Sequence, residues 1–134
     1  EKMIADRQLS DQVYFPNRFH SQEELLEIAG RSLVGLALYS LGEENFTHYA
    51  DPGKVKAYIE MNLPVVMTRI SEVVPFIEKF HAGVVVDGPE SVGDAVRKIV
   101  REHRLYNEGV RRFNEHFEYT RLYAFRPMEE LWSR

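Results

Sequence analysis

Four short apolar runs, each separated from the next by a stretch long enough for a helix, constrain the fold of this chain more than any other feature. They are Val13-Tyr14-Phe15, residues 33–39, Pro64-Val65-Val66-Met67 and Gly83-Val84-Val85-Val86. The run at 33–39 is apolar almost without interruption, which predicts a strand buried on both faces, as in a parallel sheet covered by helices. The intervening segments carry helix signals. Ser21 with Glu24 three residues on forms a capping box, Leu25, Leu26, Ile28 and Ala29 supply an inward face, and Gly30 ends the helix. Asp51-Pro52 offers an N-cap and a first-turn proline for a helix to about Met61, which Asn62 can close in the left-handed conformation. Further helices are predicted over 71–80, with a kink at Pro75, over 91–102 and over 104–116. A last helix from about Tyr119 is bent by Pro127, and residues 1–9 read as the tail of a helix. Strand and helix in alternation with short links imply an α/β fold with a parallel sheet and right-handed crossovers.

The 134 residues suit one compact domain, 1–134, with a core large enough to need no covalent staples. There is no cysteine, so disulfides, thiolate catalysis and thiolate metal ligation are excluded. A net charge of −4 gives no overall attraction to nucleic acid. The basic residues Arg97, Lys98, Arg101 and Arg104 alternate with Asp94 and Glu102, which reads as a solvated helix face. No apolar run approaches the roughly 20 residues of a membrane span, and no signal peptide is recognisable. A cytoplasmic location is the expectation. The first residue is Glu1, which points to a piece of a longer protein.

In an open parallel sheet, ligands bind beyond the carboxyl ends of the strands. The loops after Phe15, Tyr39, Met67 and Val86 are therefore the candidates. The loop after Tyr39 is the richest in chemistry, with Ser40, Glu43, Glu44, Asn45, Thr47, His48 and Tyr49 leading to Asp51-Pro52-Gly53-Lys54. A helix start presents free N–H groups and a partial positive charge, Gly53 permits close approach, and Lys54 adds a full charge, which together suit a phosphate. The same residues also make an ordinary helix start, where Asp51 as N-cap would repel a diphosphate. Spacing alone leaves both readings open. The five histidines lack ligand spacing, so no metal site is expected. Tyr106, Phe113, Phe117, Tyr119, Tyr123 and Phe125 resemble a set for stacking on bases, but their helical spacing favours core packing.

The stretch Tyr49-Ala-Asp-Pro-Gly-Lys-Val-Lys-Ala-Tyr-Ile-Glu-Met-Asn-Leu-Pro-Val-Val66 resembles a segment of GT-B glycosyltransferases of the group 1, or family 4-like, type. That segment reads small/Asn-Pro-x-Lys-x-x-Glu-Tyr-x-x-x-Gly-x-Pro-Val-Val. The likeness continues through Thr68-Arg69-Ile70-Ser71-Glu72-Val73, Ala82-Gly83-Val84-Val85-Val86 and Pro89-Glu90-Ser91. It implies a Rossmann-like three-layer α/β/α domain, the C-terminal donor-binding half of a GT-B fold without its first strand-helix-strand. The implied reaction moves a sugar from a nucleoside-diphosphate sugar to an acceptor hydroxyl, with no cofactor and commonly no metal. By carry-over Ser40, Pro52, Gly53 and Lys54 face the donor diphosphate, and Val65, Val66 and Thr68 shape the next strand end. No catalytic residue is assigned. The implied partners are the nucleotide sugar and a missing N-terminal acceptor domain. Nucleic acid is not among them, membrane contact would be peripheral and through the parent, and the isolated chain would be inactive. The family's ribose-binding glutamate falls at Ala57 and its partner at Tyr49, so both carboxylates are gone, and the glycine before Pro-Val-Val is Asn62. Their loss keeps a second reading open, a non-catalytic scaffold or interaction domain. A receiver-like or flavodoxin-like domain is a third.

Overall fold

The computed structural model describes residues 2–39 and 53–117. Along the chain these give α1 (Lys2–Asp6), α2 (Gln22–Gly30), β1 (Gly35–Ala37), α3 (Gly53–Glu60), β2 (Val65–Thr68) and α4 (Val74–Phe80). After them come β3 (Gly83–Val86), a 3-10 turn (Pro89–Ser91), α5 (Val92–Arg101) and α6 (His103–Phe117). The strands form one parallel sheet in the order β1-β2-β3. Gly35 pairs with Val65 and Val65 with Gly83, while Leu36, Val66 and Val84 stand in the next row.

Side chains alternate across a strand, so β2 serves two cores. Val65 and Met67 point to a layer with Val55 and Ile59 of α3, Val74 and Ile77 of α4, and Val110 and Phe113 of α6. Val66 points to the opposite layer, with Ala95 and Ile99 of α5 and Tyr106 at the start of α6. Every residue of β2 is buried. A side chain so enclosed stabilises the fold by about 1.5–3 kcal/mol relative to exposure. The result is mixed α/β with helices on both faces of a parallel sheet, a Rossmann-like α/β/α arrangement.

Several local expectations hold. Ser21 Oγ accepts the Glu24 N–H at 3.2 Å and Glu24 Oε2 accepts the Ser21 N–H at 2.9 Å, completing the capping box. Asn62 has φ 59°, the left-handed value that closes α3 and that the family pattern meets with glycine. Tyr106 and Phe113 are core residues.

Others are corrected. Val13-Tyr14-Phe15 is not a strand; all three are exposed, and no described strand lies beside them to share a ladder. The described sheet thus has three strands rather than four. The run at 33–39 yields only the three residues of β1, buried on one face, because no helix among the described residues covers Leu36, which is 46% exposed. Helix α4 starts at Val74 rather than Ser71, since Ser71 has φ 76° and turns the chain first. Pro75 then sits in the first helical turn, where its missing N–H has no carbonyl to serve, so it causes no kink. Gly30 is the last residue of α2 and Arg31 its C-cap, in right-handed rather than left-handed geometry. The helix expected from Tyr119 lies outside the described residues.

Candidate functional site

The carboxyl ends of the strands gather Tyr39, Thr68, Arg69 and Asp87, and α3 opens beside them with Gly53 and Lys54. Its seat is set by small residues. Gly35 has no side chain, and a Cβ there would collide with the Tyr58 ring, so the glycine is what lets α3 lie close against β1. Val55 and Ile59, each 1% exposed, anchor the same helix in the core. Gly53 and Lys54 remain exposed at its mouth, with no described atom within 4 Å of a Cβ built at Gly53 and no acidic side chain in the first helical turn. The orphan N–H groups and dipole of α3 add to the Lys54 charge there.

Two cations stand at this edge, and they differ. Arg69, just beyond β2, donates from Nε to Asp87 Oδ1 at 2.9 Å and from Nη2 to Glu78 Oε1 at 3.1 Å. These carboxylates hold its guanidinium even more firmly protonated than usual, the bond to Asp87 contributing most. Lys54 has no carboxylate partner among the described residues. Its Nζ instead lies 6.0 Å from the centre of the Tyr39 ring, at the outer range of a cation–π contact. Burial, and then the nearby Tyr58, push the Tyr39 hydroxyl pKa up, so it stays protonated at neutral pH. The Tyr39 backbone N–H donates to Thr68 Oγ1 at 3.0 Å.

Of the four residues expected to face a donor diphosphate, Gly53 and Lys54 are placed at the mouth of α3. Ser40 and Pro52 lie outside the described residues, as do Glu43, Glu44, His48, Tyr49 and Asp51. Sequence reasoning passed over Tyr39 as a partner of Lys54. Its only signal was its place as the last residue of an apolar run.

The family model described as "Glucosyltransferase 3-like, C-terminal domain" matches residues 4–120. The chain belongs to that family. Neither the curated proteins nor the solved structures give a match. As a glycosyltransferase C-terminal domain, this Glucosyltransferase 3-like chain carries Ala57 half-buried on α3, one helical turn beyond Lys54. No group of three His, Cys, Asp or Glu among the described residues could hold a metal ion. No helix among them is long and apolar enough to cross a membrane. Arg97 pairs with Asp94 at 2.6 Å and Arg101 with Glu102 at 3.0 Å, so the basic stretch is a solvated, partly neutralised helix surface. An open groove lined by Asn62, Arg104, Leu105, Asn107, Glu108 and Arg111 lies at the amino ends of the strands, opposite the end where ligands of open parallel sheets bind.

Proposed function

We propose that this domain is the nucleotide-sugar-binding half of a GT-B glycosyltransferase of the group 1, or family 4-like, type. It receives the diphosphate of a nucleoside-diphosphate sugar at the mouth of α3, and the parent enzyme passes the sugar to an acceptor hydroxyl. The observation that carries the reading is Lys54: an exposed cation without a described carboxylate partner, in the first turn of a helix, at the carboxyl end of a parallel sheet. Helix amides and a lysine stabilise a departing diphosphate by fixed positive charge, without a metal. Ser40, Pro52 and Gly53 belong to the same loop and helix start. An N-terminal acceptor domain is the natural partner, and the exposed apolar side chains of Leu36 and Leu38, on one side of the β1 run, support a face covered by further protein.

The test is calorimetric titration of the full chain with UDP, GDP and ADP. One of them is expected to bind, and Lys54→Ala to weaken it about ten-fold. Absence of binding by all three, or an unchanged affinity in Lys54→Ala, would overturn the reading. The alternative, a scaffold that has lost donor binding, is favoured by one observation: Ala57 stands where the GT-B pattern that this segment resembles has its ribose-gripping glutamate. The same titration on Ala57→Glu separates the two, since a donor-binding domain gains affinity when the missing carboxylate returns.

A further inference from the structure

We infer that Tyr39 is a positioning residue for Lys54, holding its ammonium where the donor diphosphate arrives; the inference rests on the function proposed above. A lysine on an exposed helix turn ordinarily sweeps a wide volume, because four flexible bonds separate Nζ from the backbone. Here both ends of the side chain are constrained. At its base, α3 is seated by Val55 and Ile59 in the core and by the close approach of Tyr58 to Gly35. At its tip, the ammonium stands over the face of Tyr39 at 6.0 Å.

The ring is itself fixed. Strand β1 ends at Ala37, so the Tyr39 N–H would have no ladder partner. The Thr68 hydroxyl, on a residue only 5% exposed at the end of β2, accepts that N–H at 3.0 Å and extends the β1–β2 pairing by one side-chain bond. The ring packs against the core layer shared by α3, α4 and α6. Tyr58 over Gly35 and Lys54 over Tyr39 thus tie both ends of the helix to β1 and the residues just beyond it. Together these fix where along β1 the positive charge sits. A ring face holds the cation without neutralising it, which a carboxylate would do, as Asp87 and Glu78 do for Arg69.

The experiment has two arms. The first needs no ligand. In NMR spectra of the full chain, the Lys54 side-chain protons next to Nζ are expected upfield of their unstructured positions, shifted by the ring. The shift should persist in Tyr39→Phe and vanish in Tyr39→Leu. Unstructured shifts in the native chain would overturn the inference, whatever binds. The second arm titrates the nucleoside diphosphate that binds most tightly among UDP, GDP and ADP. Tyr39→Leu is expected to weaken it about two- to five-fold, Tyr39→Phe hardly at all, and Thr68→Val in the direction of Tyr39→Leu. In a Lys54→Ala background, Tyr39→Leu should have no further effect. An equal loss in both backgrounds would show that the ring acts independently of Lys54 and would sink the inference while leaving the donor site standing. No effect of Lys54→Ala removes the donor site itself.

Discussion

Glu24 shows how one side chain can be tied to the fold in two ways. Its carboxylate accepts from Arg18 at 2.6 and 3.0 Å and from the Ser21 N–H at 2.9 Å. The Arg18 bonds, and after them the Ser21 bond, lower its pKa from an ordinary 4.5 to about 2. A depressed carboxylate contributes stability that is complete above its unfolded value and is lost as pH falls through its folded one. The start of α2 should therefore hold at neutral pH and loosen between about pH 4.5 and 2. Carbon-13 titration of the Glu24 carboxyl should give a midpoint near 2, moving up toward 4.5 in Arg18→Ala. A native midpoint at the ordinary value would show that the Arg18 pair does not persist in solution. Both side chains are exposed, so added salt should raise the midpoint as well. The capping box was legible from Ser21 and Glu24 because their spacing fixes their geometry. So was Asn62, because few residues other than glycine tolerate a left-handed turn. The positive φ of Ser71 was not legible, since serine, unlike glycine or asparagine, gives no signal for it.

At the scale of elements, glycines decide how closely the layers approach. Gly109 lies in the middle of α6, where an alanine would ordinarily gain about 1 kcal/mol of helix propensity. A Cβ at this position would collide with the backbone carbonyl oxygens of Phe80 and His81, on which α6 rests as it crosses the end of α4. Backbone cannot step aside as a side chain can. Gly109→Ala should therefore destabilise the domain by about 2 kcal/mol in urea unfolding. Gly30→Ala, at the end of α2 with no described atom within 4 Å of an added Cβ, should be neutral or mildly stabilising. Equal effects of the two substitutions would contradict the close crossing. Strands β2 and β3 were legible because four consecutive apolar residues bounded by turn residues leave few alternatives. Strand β1 was overread. Its apolar run is longer than the stretch a neighbouring strand can pair, and periodicity carries no information on where pairing stops.

For the molecule as a whole, apolar exposure is uneven. Large apolar side chains from Met3 to Leu38 are exposed at eleven positions, against Val100 and Leu105 alone in residues 53–117. Helix α2 buries only Ala29. Leu36 shares a row with Val66, which is fully buried, yet nothing described covers it. Leu36→Lys should therefore change the melting free energy by no more than about 0.5 kcal/mol, whereas Val66→Lys should prevent folding. A large loss of stability in Leu36→Lys would mean that this face is already covered. The parallel order of the sheet was readable from strand and helix alternation. The side of β1 that no described residue covers was not, because an apolar run looks the same whether or not a neighbour covers it.

The apolar run around β1 also bears on how the chain is made. From Ser32 to Tyr39 there is no charge, and the first residue able to pair with Gly35 is Val65. A ribosome adding about 5–20 residues each second leaves the strand waiting roughly two to six seconds before its mate emerges. During that interval the nascent polypeptide is at its stickiest, so cooler growth or added chaperone should raise recovered yield before any change to the finished domain does.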